Sequence, residues 1–151
     1  MNGRNMISRT DATKGKVLTS VAAIIKGKEN KILLVWEGDM PYHRWWVIPG
    51  GYVKEDETVE QAIPREVREE TRLEILPIKL IGIYDDFITD EKGVLTHHII
   101  IGYMAKIIGG ELTVTRESME YAWMSIEEAL KFPRLPDVFK RILREAGKGG
   151  I

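Results

Sequence analysis

Apolar residues recur along this chain with two different spacings, and each spacing predicts a type of element. Short β-branched or apolar runs predict strands over residues 17–26, 32–36, 45–48, 73–87, 95–108 and 121–124. Helical spacing covers 59–70 and 137–146, and Ser125 is placed to cap a short helix that ends near 131. Strands, one helix, more strands and then helices predict a layered α/β or α+β sandwich around a mixed sheet.

The helix over 59–70 carries acidic residues on the face that should be buried. Its inward stripe consists of Val59, Ala62, Ile63, Glu66, Val67 and Glu70. Glu69 borders this stripe, three residues after Glu66. Unpaired carboxylates in such a place would cost several kcal/mol each or stay protonated, and a hard divalent cation removes that cost. The stripe therefore predicts a metal site.

The ends and the interior of this helix give conflicting local signals. Thr58 and Gln61 have the spacing of a capping box, which makes Thr58 the expected N-cap. Pro64 lies beyond the first turn, lacks a backbone donor and crowds the carbonyl four residues earlier. We therefore expect a kink at Pro64, or a helix whose regular part begins later. We also expect the run Pro49-Gly50-Gly51 to end the strand before it.

Composition bounds the class of protein. With 151 residues and 44% hydrophobic residues, the chain suits one domain over 17–146, with a flexible tail at 1–16 and a frayed end at 147–151. A net charge of −1 gives no general attraction to nucleic acid polymers or to a membrane surface. The absence of cysteine excludes disulfides and thiolate metal sites. Without an apolar run long enough for a membrane span or a signal peptide, the expected location is cytoplasmic.

The acidic helix belongs to a longer spaced motif. Gly51 is followed after five residues by Glu57 and after seven more by the run 65–73, which reads Arg-Glu-Val-Arg-Glu-Glu-Thr-Arg-Leu. This segment resembles the Nudix box of the MutT/Nudix hydrolases, and the similarity extends over about residues 17–130. The resemblance implies a Nudix-type α/β/α sandwich around a mixed β-sheet. It also implies hydrolysis of a nucleoside diphosphate linked to another moiety.

The resemblance assigns roles by position. It implies that Glu66, Glu69, Glu70 and the carbonyl of Gly50 bind a divalent metal ion, Mg²⁺ or alternatively Mn²⁺. Arg65 would orient a glutamate with help from Glu57. Glu120 is similar to a downstream glutamate that in some members adds a metal ligand or acts as the base, and which carboxylate is the base stays open. A homodimer is a further possibility, because dimers are common in the family.

Several residues outside the motif have two interpretations each. Arg44 and Lys54 lie in loops beside the site, where they could bind phosphate or could simply be solvated. Trp45 could stack on a base, although packing is the simpler interpretation. His97 and His98 are adjacent in a strand and therefore face opposite sides, so we expect one to be packed and the other exposed.

Arg72 is the one position in the box that departs from the family pattern. The family usually has glycine where Arg72 stands, and arginine in a left-handed helix end costs roughly 1 kcal/mol.

The preferred substrates are nucleoside triphosphates, split to a monophosphate and pyrophosphate. The alternatives are an ADP-ribose or nucleotide-sugar pyrophosphatase, and a non-catalytic module that senses nucleotides.

Overall fold

The computed structural model describes residues 12–38, 42–116 and 118–149. Within these ranges the chain forms seven strands, a 3-10 turn at Lys28–Asn30 and three α-helices. The strands are β1 Thr13–Lys26, β2 Ile32–Glu37, β3 Trp46–Val47, β4 Gly50–Tyr52, β5 Leu73–Thr89, β6 Val94–Gly110 and β7 Ser118–Met124. The helices are α1 Val59–Thr71, α2 Ile126–Leu130 and α3 Asp137–Lys148.

The strands form one mixed sheet. Its main path runs β3-β2-β1-β6-β5, while β4 pairs with β1 and β7 pairs with β2. The β1–β6 pair is parallel and the other pairs are antiparallel. β1 and β2 are paired in register only through Lys26 and Ile32, so β4 can pair with the earlier part of β1.

The helices cover opposite faces of this sheet. Val21 is paired with Gly51, and a Cβ built on Gly51 would meet the carboxylate of Glu66 on α1. The next residue of β1, Ala22, is paired with Gly102, and a Cβ built on Gly102 would approach Ile142 on α3. Because successive strand residues face opposite sides, α1 and α3 lie on different faces. The expected α/β/α sandwich around a mixed sheet is confirmed.

Helix α1 is one uninterrupted element. Thr58 is its N-cap, and Thr58 and Gln61 form the expected capping box. Pro64 lies inside the helix, so the alternative of a helix that begins later is wrong. Arg72 ends the helix in the left-handed conformation, with φ 65° and ψ 7°, and its N–H donates to the Arg68 carbonyl. Arg72 thus adopts the left-handed conformation that suits the glycine usual at this position in the family.

The boundaries of other elements correct two expectations and confirm one. β1 begins at Thr13, so residues 13–16 of the expected tail are strand, while residues 1–11 lie outside the described part. β3 ends at Val47, so the strand before Pro49-Gly50-Gly51 ends as expected, and Gly50–Tyr52 then forms β4. α3 continues to Lys148, two residues into the expected frayed end, and residues 150–151 lie outside the described part. None of the described helices is long and apolar enough to cross a membrane.

Candidate active site

The guanidinium of Arg65 is the hub of the acidic cluster. Its Nε donates to Glu57 Oε2 at 2.7 Å, and its Nη2 donates to the other oxygen of that carboxylate. Its Nη1 donates to Glu66 Oε1 at 3.0 Å and to Glu69 Oε2 at 3.1 Å. Nη2 also donates to the Tyr52 carbonyl at 3.0 Å. One planar cation thus fixes three carboxylates relative to β4, as expected for a bidentate orienting arginine.

These contacts fix the charges of Glu57 and Arg65. The hydrogen bonds from Arg65 are the main reason why the pKa of Glu57 is lowered to about 2. The Lys54 backbone N–H also donates to Glu57, at 2.9 Å, and acts in the same direction. The contacts with Glu57 in turn raise the pKa of Arg65. Both side chains are therefore charged at neutral pH.

Glu70 lies in a different environment from the other box glutamates. It is 2% exposed, accepts from the Gly50 N–H at 2.7 Å and accepts from Ser118 Oγ at 3.2 Å. Burial raises the pKa of Glu70 well above its ordinary value, and the negative charge of Glu37 raises it further. Ionised Glu70 is therefore costly in the metal-free protein, and a cation at this point would offset the cost.

The two glycines before α1 allow two different close approaches. A Cβ on Gly50 would lie 1.8 Å from the Val21 carbonyl oxygen, so a side chain there would collide with β1. A Cβ on Gly51 would lie 2.3 Å from Glu66 Oε2, so glycine gives this carboxylate its place. The N–H and carbonyl of one strand residue point to the same side. The Gly50 carbonyl is therefore expected on the side of Glu70, where its N–H points.

The donor types fit a divalent metal ion. Glu70, Glu66 and the Gly50 carbonyl offer hard oxygen atoms around the start of β4, which are the ligands that Mg²⁺ and Mn²⁺ prefer. In the described ranges, no three acidic or histidine side chains are gathered closely enough to hold an ion. Glu66 and Glu69 instead hydrogen-bond with Arg65. A metal ion would have to draw these carboxylates towards Glu70.

An open cleft adjoins Gly50 and Gly51. Aromatic rings form much of its wall: Tyr52 and His98 stack with centroids 6.0 Å apart, and the phenol of Tyr42 donates to buried Asp86 at 2.8 Å. The cleft thus joins an aromatic surface to the acidic site, an arrangement that suits a molecule with a ring at one end and phosphates at the other.

The structure separates Glu120 from the acidic cluster. Ser118 and Tyr121 of β7 both contact Glu70, through its carboxylate and its carbonyl respectively. Glu120 instead pairs with Trp36, so its side chain leaves the strand on the opposite side from Tyr121. The geometry therefore gives no support to Glu120 as a residue of this site.

Glu37 lines the cleft although the sequence analysis did not single it out. It pairs with Ser118 and shares the cleft wall with Gly50, Gly51 and Tyr52. One sequence signal was present: Glu37 is an acid directly after the apolar run 32–36. Its relevance depends on the pairing of β2 with β7, which the sequence did not reveal.

The structure shows where the remaining candidate residues lie but does not test their roles. The side chains of Arg44 and Lys54 are exposed, and Arg44 Nε donates to His43 Nε2 at 3.3 Å. Phosphate binding by these two stays a prediction. His98 is 3% exposed, as expected for the packed histidine, whereas His97 is half-buried, stacks on Phe87 and contacts Asp85 Oδ1 at 2.7 Å, so the expectation of an exposed second histidine is only partly met.

Comparisons with known proteins agree with this architecture. The NUDIX domain model matches residues 16–145. An ADP-ribose pyrophosphatase of Methanocaldococcus jannaschii is 30% identical over 94% of this chain and 82% of its own. A Nudix hydrolase of Bacillus subtilis, YvcI, is 26% identical over 79% of this chain and 73% of its own. The crystal structure of a MutT protein from Methanosarcina mazei superposes with a TM-score of 0.74 at 24% identity, covering 90% of this chain and 97% of that one. The chain therefore belongs to the Nudix hydrolases, enzymes that act on pyrophosphate bonds.

Proposed function

We propose that this chain hydrolyses the pyrophosphate linkage of nucleoside diphosphates joined to a further group, with Mg²⁺ as the natural metal ion and Mn²⁺ as a substitute. The observation that carries the proposal is the joint placement of the Arg65 hub and buried Glu70 at Gly50. Glu66, Glu69, Glu70 and the Gly50 carbonyl would hold the metal. The family generally uses divalent ions, which supports this choice.

In the mechanism, the chain's own residues supply position and proton transfer. A bound divalent ion would neutralise phosphate oxygens and lower the pKa of water. Before a metal ion binds, Arg65, itself held by Glu57, hydrogen-bonds with the carboxylates of Glu66 and Glu69. The Glu69 side chain is 43% exposed, against 13% for Glu66, so solvent reaches it most easily. We assign to Glu69 the acceptance of the proton from water.

Two substrate classes are carried forward. Nucleoside triphosphates are the class preferred from the sequence, and they would yield a monophosphate and pyrophosphate. ADP-ribose is the second candidate, because the methanogen relative with that substrate in its name matches 94% of this chain. It would yield AMP and ribose 5-phosphate. In both cases the aromatic cleft beside Gly50 would hold the nucleoside, with Tyr52 as the exposed ring.

We further propose that the protein is a homodimer that uses one open sheet face. On the side of α1, the rows of β1, β6 and β5 beyond the helix carry exposed apolar side chains, including Val17 at 63%, Ile83 at 65% and Leu80 at 48%. This exposed apolar area suits a second copy of the chain.

The test is a substrate panel with both products identified. Nucleoside triphosphates, ADP-ribose and nucleotide sugars are offered with Mg²⁺ and then with Mn²⁺, and products are separated by chromatography. We expect a monophosphate from at least one substrate and none after chelation. Binding of nucleotides without any product would favour the non-catalytic nucleotide sensor instead.

A further inference from the structure

We propose that Glu37, at the end of β2, is an additional metal-binding carboxylate of this site and takes the place that the family resemblance suggested for Glu120. The inference rests on the proposed function, because it concerns the same metal ion. It assigns a role to a residue outside the Nudix box, on a strand that the motif does not include.

The strand register brings Glu37 to the acidic cluster. Glu37 and Ser118 are directly paired across β2 and β7, and Ser118 Oγ donates to the Glu70 carboxylate at 3.2 Å. Cross-strand partners have Cβ atoms about 5 Å apart on the same face. The Glu37 carboxylate therefore starts from the same side of the sheet as the group that holds Glu70.

A local irregularity produces this placement. The register shifts between Trp36 and Glu37, so that Trp36 pairs with Glu120 and Glu37 pairs with Ser118. The extra residue on β7 is Met119, which is 49% exposed. Such bulges re-aim side chains and are frequent beside active sites. Here the bulge leaves Glu120 on the Trp36 side while Ser118 and Glu37 both face Glu70.

The cleft gives a second, independent observation. Glu37 lines it together with Gly50, Gly51 and Tyr52, the segment from which the Gly50 N–H reaches Glu70. Glu37 and Glu66 thus approach the start of β4 from opposite directions, Glu37 from β2 and Glu66 from α1. Glu37, Glu66 and the Gly50 carbonyl would together offer oxygen atoms to a divalent ion, the donors that such ions prefer.

Glu37→Gln tests the inference, with Glu127→Gln as the matched control. Glu127 lies on α2 and its side chain is 85% exposed, so this control removes the same charge at a distance. Three properties are measured: thermal unfolding without metal, Mn²⁺ affinity by calorimetry, and turnover in the substrate panel. We expect Glu37→Gln to remain folded, to weaken Mn²⁺ binding about 10-fold or more and to lower kcat, while Glu127→Gln matches the wild type.

The outcomes separate the two proposals. Wild-type Mn²⁺ affinity in folded Glu37→Gln overturns the role of Glu37 and leaves the proposed hydrolysis intact. A wild-type protein that binds Mn²⁺ but cleaves no substrate defeats the proposed hydrolysis, while the Mn²⁺ affinity of Glu37→Gln still decides the role of Glu37. A wild-type protein that does not bind Mn²⁺ overturns both.

Discussion

At the scale of single residues, Glu70 sets function against stability. Glu70→Gln keeps an acceptor for the Gly50 N–H but removes a buried charge whose pKa is raised by burial and by Glu37. In chelator at pH 8 we expect this variant to be more stable than the wild type by about 1–2 kcal/mol, and to lose most of its metal-dependent activity.

The pH dependence of this difference in stability follows from the direction in which the pKa of Glu70 is shifted. Below the ordinary carboxyl pKa of 4.5, Glu70 is protonated in both folded and unfolded protein and costs nothing. As the pH rises above 4.5, the unfolded wild type loses this proton first, so the folded wild type becomes less stable relative to the variant until the pH passes the raised folded pKa. Urea unfolding at pH 4.5 and pH 8 measures the gap, and a variant that is less stable at pH 8 would contradict this account.

Gly50 and Gly51 are adjacent, yet the same substitution should fail in different ways. Gly51→Ala meets the end of the Glu66 side chain rather than backbone, so we expect a folded protein with kcat reduced about 10-fold to 100-fold. Gly50→Ala meets the Val21 backbone, so we expect a loss of about 2 kcal/mol or more in the free energy of unfolding. Urea unfolding and steady-state kinetics on both variants distinguish these results, and equal losses of stability would contradict them.

At the scale of elements, helix α1 shows what local pattern can and cannot predict. The capping box of Thr58 and Gln61 and the inward stripe are local properties, and the structure has both. The continuity of the helix across Pro64 is not local. Ile63 and Val67 on either side are fully buried, and their packing against the sheet offsets the lost backbone hydrogen bond.

Arg72 gives a prediction at this scale, because its left-handed conformation stores strain at the end of α1. Arg72→Gly should raise the free energy of unfolding by roughly 1 kcal/mol, since glycine adopts φ 65° without a steric penalty. Arg72→Ala removes the same side chain but keeps the strain, so it should bring no such gain. Thermal unfolding of the three proteins checks this, and equal stabilisation by alanine would trace the effect to the lost side chain.

Strand pairing explains which parts of the site the sequence did not reveal. The helical spacing predicted that Glu66, Glu69 and Glu70 would gather on α1. The family resemblance implied that Arg65 acts together with Glu57, and in the structure Arg65 hydrogen-bonds with Glu57, Glu66 and Glu69. The positions of Glu37 and Glu120 depend on the β2–β7 register and its bulge. These positions depend on which strands pair and where a bulge falls, and the sequence did not reveal that β2 pairs with β7.

At the scale of the whole molecule, both faces of the sheet carry apolar side chains. On one of the two faces, α1 covers only part of them. In the rows of β6 before Gly102, His98 and Ile100 are buried on the α3 side, whereas Ile99 and Ile101 on the other side are only partly buried. A parallel strand pair is usually covered on both faces. The composition and the motif predicted a single sandwich but contained no signal for this uncovered area.

A substitution in this uncovered area tests the proposed homodimer. Ile83→Lys places a charge in the centre of the open face and should shift the mass in solution from twice the 17.3 kDa of one chain towards a single copy. Ile108→Lys is the control, because Ile108 is 61% exposed, close to the 65% of Ile83, but lies near the far end of β6. Light scattering during gel filtration over a range of micromolar concentrations gives both masses. A wild-type protein that stays a single copy throughout would remove the dimer while leaving the active site on one chain untouched, since each residue assigned to that site lies in the same copy.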